Sequence, residues 1–261
     1  MLKAIIFDLD DTLLWDKKSV ETAFQVTSQL AAKKVPIDPS KLEEAVRIEA
    51  SELYASYETY AFTKLIGINP FEGLWGTFDD EGELFQKMKN IVPAYRQEAW
   101  TKGLLRVGID DKELGKQLAD HFPLARKAHP YLYKETIQVL DRLKGHYQLV
   151  LLTNGSPSLQ KTKLEITAEL APYFTHIVIS GAFGKGKPDP AIFQFALSQC
   201  NLQADEVIMV GDNLMTDILG ASRTGIRSVW INREQKLPDK DIKPTYEITN
   251  LEELFPILED L

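Results

Sequence analysis

Short apolar runs alternate with segments of helical periodicity from residue 130 onward, and this alternation constrains the fold more than any other feature of the chain. Runs rich in β-branched residues lie at 147–153, 176–180, 206–210, 227–231 and, more weakly, 246–248. Such runs are typical of strands buried on both faces of a parallel sheet. Helix starts stand between them, where Ser156 precedes Pro157 and Asp189 precedes Pro190. The pattern predicts an α/β fold with a doubly wound parallel sheet.

A similar apolar run at 3–8 predicts that the N-terminal strand joins this sheet. Residues 17–125, in contrast, contain several helical patterns and almost no β-branched run. We therefore predict a core domain formed by 1–16 together with 126–261, and an all-helical domain inserted over 17–125.

Within the insert, Asp38 and the proline after it are expected to begin one helix, and Asp110 is expected to cap another. Residues 67–82 are rich in turn residues and aromatics, which predicts a loop. Trp75 and Phe78 in this loop either pack in the insert or contact a ligand, and the sequence leaves both alternatives open.

The charge balance bears on possible partners. Among 261 residues, 30 are Lys or Arg and 38 are Asp or Glu, so the formal net charge is −8. A nucleic-acid-binding surface needs a basic stripe, which this chain does not show, so nucleic acid is not expected as a partner. A small anion can still bind where lysine, backbone N–H groups and a metal ion reverse the field locally.

Three further features indicate the compartment. No apolar run approaches the roughly 18 residues that a membrane span needs, so no membrane partner is expected. The single cysteine, Cys200, cannot form an internal disulfide, and the N-terminus lacks the apolar core of a signal peptide. We expect a cytoplasmic protein.

An acidic cluster directly follows the first predicted strand: Asp8, Asp10 and Asp11 stand beside Thr12. Carboxylates this close repel one another and need compensation by a metal, a lysine or solvent. In an open α/β sheet the carboxyl ends of the strands are where ligands bind. A solvated acidic turn is the plainer interpretation of such a cluster taken alone.

A second acidic cluster favours a ligand site over a solvated turn, because Asp212 and Asp217 follow another predicted strand. Carboxylates from two strand ends make an oxygen-rich site that suits Mg²⁺, a hard ion that binds few protein ligands and keeps waters for substrate oxygens. Both residues could also stabilise the start of a helix, which is compatible with metal binding.

Two more polar segments lie at predicted strand ends. Thr153 and Asn154 end a strand before a helix, where a hydroxyl and backbone N–H groups favour an anion. Lys185 and Lys187 precede the predicted helix start at Asp189. A lysine at this edge would act as a compact cation for phosphoryl oxygens and would offset nearby carboxylates.

These four segments, in this order, resemble the motifs of the haloacid dehalogenase-like (HAD) superfamily of hydrolases. The first motif reads DxDxT, the second is a Thr or Ser after an apolar strand, the third is a lysine commonly followed by PDP, and the fourth reads GDxxxxD. The residues that match them are Asp8, Asp10, Thr12, Thr153, Lys187, Asp212 and Asp217. The resemblance implies a Rossmann-like core, and the insert over 17–125 fits the helical cap of the family.

The resemblance also implies roles for the first-motif residues. Asp8 would be the nucleophile that forms an aspartyl-phosphate, and Asp10 would be the general acid and then the general base. Asp212 would bind Mg²⁺ together with the Asp8 side chain and the Asp10 backbone carbonyl. Lys187 and the metal would offset the repulsion between a carboxylate and an anionic phosphoryl group.

The remaining motif residues would bind phosphate or support the site. Thr153 and the N–H of Asn154 would hold phosphoryl oxygens, and Lys187 would bind them as well. Asp217 would orient Lys187 rather than bind metal directly, and Thr12 would support the first motif.

The implied function is that of a Mg²⁺-dependent phosphomonoester hydrolase acting on a small phosphorylated metabolite. The presence of Asp10 favours phosphate esters over the halogenated or phosphonate substrates of other family members. Candidate substrates are phosphoserine, phosphosugars, nucleotides and phosphoglycolate. Two alternatives stay open: a phosphosugar mutase of the same family, and a non-catalytic phosphoryl-accepting regulator, for which a helical insert would have no use.

Overall fold

The computed structural model describes all 261 residues. Six strands form, namely β1 Ala4–Phe7, β2 Gln148–Thr153, β3 His176–Ile179, β4 Val207–Gly211, β5 Arg227–Ile231 and β6 Tyr246–Ile248. The helices are α1 Asp16–Ala32, α2 Pro39–Ser56, α3 Tyr60–Ile66, α4 Pro70–Gly73, α5 Glu83–Arg106, α6 Lys112–Ala128, α7 Thr136–Leu143, α8 Pro157–Ile166, α9 Ser180–Phe183, α10 Pro190–Cys200, α11 Leu219–Thr224 and α12 Leu254–Glu259. A π-helical turn over Leu214–Ile218 leads into α11. No helix is both long and apolar enough to cross a membrane.

The chain forms two compact units. Unit 1 consists of Met1–Trp15, Leu132–Gly155 and Thr167–Leu261. Unit 2 consists of Asp16–Tyr131 and Ser156–Ile166. The domain bounds predicted from the sequence, 1–16 with 126–261 for the core and 17–125 for the insert, stay a proposal. The two compact units differ from these predicted domains chiefly because α8 belongs to unit 2.

Unit 1 is built on one parallel sheet with the strand order β3-β2-β1-β4-β5-β6. The central strand β1 pairs with β2 on one side and β4 on the other, and all four of its residues are buried. Continuous apolar composition suits such a position because helices cover both faces of a parallel sheet. The predicted α/β class and the parallel sheet are confirmed, and every predicted strand is present.

Unit 2 is entirely helical. Its apolar core includes Phe24, Trp100 and Phe122, which are fully buried and pack ring against ring. Asp38 caps α2 and is followed by a proline at the first helical position, as the sequence predicts. The cap of α6 is Asp111 and not the predicted Asp110, because the side chain of Asp111 accepts from the N–H of Leu114.

The segment predicted as a loop over 67–82 contains one short helix, α4, which Asn69 begins with a capping box. Trp75 and Phe78 are buried in the unit 2 core, which decides between the two alternatives that the sequence left open. Further along, Asp80 accepts hydrogen bonds from the backbone N–H and hydroxyl of Ser158, at 2.6 and 2.8 Å, and so holds the first turn of α8.

Candidate active site

The candidate site lies at the carboxyl ends of the three neighbouring strands β2, β1 and β4. Parallel pairing aligns these ends, with Phe7 beside Leu151 and Val210. Asp8 follows β1 directly, and Asp212 follows β4. The sheet therefore brings together acidic residues that are about 200 positions apart in the chain, as expected for this edge of a doubly wound sheet.

Lys187 lies at the centre of the site. Its ammonium nitrogen is 2.6 Å from Oδ1 of Asp8 and 2.7 Å from Oδ1 of Asp217. It also donates to the carbonyl of Leu152 at 2.8 Å. The Lys187 side chain is only 2% exposed, so these three acceptors offset most of the cost of burying its charge.

Asn154 fixes the backbone that carries Lys187. The side-chain amide of Asn154 donates to the Lys187 carbonyl at 3.0 Å, and its Oδ1 accepts from the Lys187 N–H at 2.8 Å. A Cβ at Gly186 would lie 2.8 Å from the same Oδ1, so the residue before the lysine must be small. After it, Asp189 caps α10 by accepting from the N–H of Ala191.

Glycine and asparagine hold Asp217 in place. A Cβ at Gly211 would lie 2.3 Å from the carboxyl carbon of Asp217, so only glycine leaves room for this buried carboxylate. The N–H of Asn213 donates to Oδ2 of Asp217 at 3.1 Å, which leaves Oδ1 toward Lys187. Asp217 therefore contacts the lysine directly.

The first-motif loop is compact. Thr12 is fully buried, and its hydroxyl donates to Oδ2 of Asp8 at 3.3 Å. Asp11 adopts a φ of 59°, in the left-handed region that aspartate tolerates better than most residues. The amides of Leu13 and Leu14 both donate to the carbonyl of Leu9.

Burial, together with the neighbouring acids, raises the pKa values of two carboxyl groups at this site. Burial raises the pKa of Asp8 to about 6, Lys187 opposes the rise, and the charge of Asp217 adds to it. Burial and the neighbouring carboxylates of Asp8, Asp217 and Asp11 raise the pKa of Asp212 well above its ordinary value. For Lys187, burial lowers the pKa, but Asp217 and Asp8 outweigh burial, so the pKa is raised and the ammonium stays charged.

The donor set fits a divalent cation. Carboxylate oxygens of Asp8, Asp212 and Asp217 lie within 4.8 Å of one another. Three carboxylates and one ammonium leave an excess of two negative charges, and hard oxygen donors suit Mg²⁺. The metal ligands predicted from the sequence are the carboxylates of Asp8 and Asp212, which belong to this group, and the backbone carbonyl of Asp10.

The other predicted residues have distinct environments. Thr153 is the last residue of β2 and is buried, and Asn154 follows it. Asp10 is half-buried in the first-motif loop. Lys185 is about half exposed and pairs with Asp189 at 3.2 Å, so it differs clearly from the buried Lys187.

Comparison with known proteins decides the family. The family model of haloacid dehalogenase-like hydrolases matches residues 2–225. The chain belongs to the haloacid dehalogenase-like hydrolases. The resemblance stated from the motifs is therefore confirmed, and with it the hydrolase class.

Three proteins illustrate the similarity of this HAD hydrolase to its relatives. Phosphoserine phosphatase from Thermus thermophilus is 32% identical over 255 residues, which are 97% of this chain and 98% of that protein. Glyceraldehyde 3-phosphate phosphatase from Pyrococcus abyssi is 29% identical over 236 residues, covering 88% and 81%. The structure of HAD-hydrolase YfnB from Bacillus subtilis, bound to magnesium, has a TM-score of 0.68 at 21% identity over 98% of both chains.

Sequence reasoning missed two features of this HAD hydrolase site. The side chain of Asn154 holds Lys187, whereas the sequence indicated only its backbone N–H as a ligand for phosphate. The indole N–H of Trp230 donates to the carbonyl of Asp212 at 2.8 Å. The residues around Trp230 in the sequence do not indicate this contact. It arises because β5 pairs with β4.

Proposed function

We propose that the chain is a Mg²⁺-dependent phosphomonoester hydrolase that acts on a small phosphorylated metabolite through an aspartyl-phosphate intermediate. The observation that carries this proposal is that carboxylate oxygens of Asp8, Asp212 and Asp217 lie within 4.8 Å of one another, while Asp8 and Asp217 both pair with the buried Lys187. A phosphoryl group brings negative charge to this edge, so a site for it must hold cations in a fixed position beside the attacking carboxylate.

Asp8 is the proposed nucleophile. Its Oδ1 accepts from Lys187 and its Oδ2 from Thr12, so both oxygens are oriented before substrate binds. With a pKa of about 6, the Asp8 carboxyl group is ionised at neutral pH, as attack requires. In the first step an Asp8 oxygen bonds to phosphorus while the bond from phosphorus to the ester oxygen breaks.

Asp10 is the proposed general acid and base. It would give its proton to the leaving alkoxide and would then take a proton from the water that attacks the phosphoryl-aspartate. This water releases inorganic phosphate and regenerates the Asp8 carboxylate. Asp10 lies two residues beyond the nucleophile in the same compact loop and is half-buried, which suits a group that must reach solvent-derived water.

Phosphate binding and metal binding are assigned to the other motif residues. Thr153 and the N–H of Asn154 would hold phosphoryl oxygens together with Lys187. Asp8, Asp212 and the Asp10 carbonyl would hold Mg²⁺, and Asp217 would orient Lys187 through their 2.7 Å contact. When bound, the metal would neutralise charge on the phosphoryl oxygens and on the carboxylates.

The substrate class is supported by relatives rather than by the site itself. The relative that spans nearly the whole chain is a phosphoserine phosphatase, and another acts on glyceraldehyde 3-phosphate, according to their names. Both substrates are small and carry one phosphate ester. Phosphoserine and small phosphosugars are therefore the first compounds to test, followed by nucleotides and phosphoglycolate.

The experiment is phosphate release from a panel of these compounds, in Mg²⁺ or in EDTA, with wild type and Asp8→Asn. The proposal expects metal-dependent release that Asp8→Asn loses. Isomer formation without phosphate release would instead indicate a mutase, and phosphate retained on Asp8 without turnover would indicate a regulator. Either result would overturn the proposal.

A further inference from the structure

Arg233 lies in the segment after β5, outside every motif that predicts the site, yet it contacts the first-motif loop. Its Nη2 donates to the backbone carbonyl of Thr12 at 3.0 Å. Its Nη1 pairs with Oε1 of Glu135 at 2.7 Å, and the two side chains are 13% and 9% exposed. The guanidinium thus joins two distant parts of unit 1 in one nearly buried ion pair.

Aromatic rings hold the same guanidinium from the side. Its carbon lies 3.5 Å from the ring centroid of Tyr133, which is the geometry of a stacked cation–π contact. The Tyr133 ring in turn stacks on Trp15, with 5.2 Å between centroids and 17° between planes. Trp15 ends the first-motif loop, so Arg233 is connected to this loop both through Thr12 and through the stack.

The loop that Arg233 contacts is fixed at several points. Thr136 donates its hydroxyl to the Leu13 carbonyl at 2.9 Å, and the Tyr133 N–H donates to the same carbonyl at 3.3 Å. The left-handed backbone of Asp11 stands just before Thr12, and such a conformation persists where its surroundings hold it. The carbonyl of Thr12 is anchored by Arg233.

Two short links lead from Arg233 to the proposed nucleophile. Arg233 fixes the Thr12 carbonyl, and the Thr12 hydroxyl donates to Oδ2 of Asp8. The other oxygen of Asp8 is held by Lys187. A shift of Thr12 would therefore rotate the carboxylate while leaving the lysine contact in place, and small displacements of a reacting group are costly for rate.

We propose that Arg233 is a positioning residue that sets the orientation of the Asp8 carboxylate through Thr12, with Glu135 and the stack of Tyr133 on Trp15 holding Arg233 itself. The inference rests on the proposed function for its effect on rate. Arg233 contacts none of the carboxylates of Asp8, Asp212 and Asp217 and does not contact Lys187, so its effect on the site is indirect and passes through the first-motif loop.

The test compares two variants with wild type. Arg233→Met alone would leave Glu135 buried without its cation, which is strongly destabilising and could prevent folding. The first variant is therefore Arg233→Met combined with Glu135→Gln, which removes both charges together. The second is Arg233→Lys, which keeps the charge and one donor but loses the planar fork.

The matched control is Arg142→Met. Arg142 is exposed on α7 of the same unit, and its guanidinium carbon lies 3.3 Å from the ring centroid of Phe255, so it makes a similar stacked contact without a link to the first-motif loop. We expect this variant to keep wild-type kcat and KM.

Three quantities are measured on folded protein: kcat and KM for p-nitrophenyl phosphate, the Mg²⁺ dissociation constant, and hydrogen exchange at the Leu13 and Leu14 amides. In the double variant at saturating Mg²⁺ we expect kcat to fall about 30-fold, with KM within about threefold of wild type. Exchange at the two amides should quicken, and Arg233→Lys should recover part of kcat.

Two results would overturn the inference. One is a folded double variant whose kcat stays within about twofold of wild type. The other is a kcat that returns to the wild-type value when Mg²⁺ is raised to saturation, because the loss would then lie in metal binding and not in the orientation of Asp8. If wild type hydrolyses no phosphate ester, the proposed function fails instead, and unchanged amide exchange in the double variant would separately refute the anchoring of the loop.

Discussion

Each of the two units buries a cluster of charged side chains, and the two clusters differ in their balance. In unit 2, two acids and two bases lie together: Asp16, Glu72, Arg126 and Lys163. In unit 1, three acids, Asp8, Asp212 and Asp217, lie together with a single base, Lys187, which pairs with Asp8 and Asp217. The formal charge is therefore zero in the first cluster and −2 in the second.

In the unit 2 cluster each charged side chain is paired with one of opposite charge. Lys163 contacts Glu72 at 2.9 Å, and Arg126 pairs with Asp16 while its guanidinium lies 4.7 Å from the ring centroid of Trp75. Arg126 also donates to the hydroxyl of Ser19. A buried network with equal charges and internal partners has no need of an added ion.

The unit 1 cluster lacks such balance: burial raises the pKa values of Asp8 and Asp212, and the neighbouring carboxylates raise them further. A folded protein retains such a cost where function requires it, because natural sites give up stability for chemistry. The cluster of unequal charge lies at the carboxyl edge of the parallel sheet, where ligands bind in open α/β sheets, whereas the balanced cluster lies among helices, so position and charge balance together support the proposed site in unit 1.

The largest effect is expected from Asp8→Asn. Replacing the proposed nucleophile should lower kcat at least about 10⁴-fold, because the amide cannot form the phosphoryl-enzyme. Loss of one charge from an acid-rich cluster should leave the thermal midpoint unchanged or raise it. Phosphate-release kinetics measure the loss of kcat, and a thermal melt measures the midpoint. Near-wild-type turnover would show that Asp8 is not the nucleophile.

The second-largest effect is expected from Lys187→Ala, with Lys185→Ala as the comparison. The buried lysine is the one cation in the acidic cluster, so its loss should lower kcat/KM about 10³-fold, whereas the exposed Lys185 should matter less than about twofold. Steady-state kinetics on the two variants decide between them. The reverse order would move the phosphate-binding role to Lys185.

In unit 2, Lys163→Met should act on stability rather than on chemistry. Leaving Glu72 buried without its partner should cost about 3 kcal/mol of unfolding free energy. Adding Glu72→Met should restore much of that loss, as expected where a balanced pair is replaced by apolar groups. Denaturant unfolding of both variants measures the loss and the recovery of unfolding free energy. Equal stability of the single and double variants would show that Lys163 and Glu72 do not stabilise the fold as a pair.

Mg²⁺ should stabilise the protein through unit 1 alone. At 100 times its dissociation constant a ligand of the folded state adds about 2.7 kcal/mol, so the thermal midpoint should rise by several degrees. Asp212→Asn should abolish most of the rise, whereas Lys163→Met combined with Glu72→Met should keep it. A rise that survives Asp212→Asn would place the cation elsewhere.

The smallest effect concerns pH. A carboxyl pKa of about 6 for Asp8 means that the proposed nucleophile becomes protonated below that value, so turnover should fall as pH decreases through about 6. The folded-state pKa lies above the ordinary value of 3.8, so Asp8 favours the folded state less as pH rises from 3.8 to 6. Added Mg²⁺ should move the acidic limb to lower pH, and a limb independent of Mg²⁺ would assign it to another group.

The sequence predicts most of what is local. Strands, helix starts and acidic clusters are encoded in short segments, so Asp8, Asp212 and Asp217 stand out at predicted strand ends, whereas Lys187 is distinguished from Lys185 only by the resemblance to the family's third motif. The cap of α6 was predicted one residue early, since two adjacent aspartates offer equal signals.

What the sequence does not predict is long-range. Arg233 and Glu135 are 98 positions apart, and neither stands in a recognisable motif. The placement of α8 in unit 2 depends on the hydrogen bonds from Ser158 to Asp80, which no periodicity indicates. Contacts of this kind follow from the assembled fold and not from a local pattern.

If Asp8 is the nucleophile, it carries the phosphoryl group during turnover. Acid quenching of wild type during hydrolysis of p-nitrophenyl phosphate in Mg²⁺, followed by mass analysis of the peptide that contains Asp8, tests this. We expect a transient mass increase of one phosphoryl group on that peptide, absent from Asp8→Asn and from samples in EDTA. Rapid phosphate release with no phosphoryl group on Asp8 at any time would contradict it.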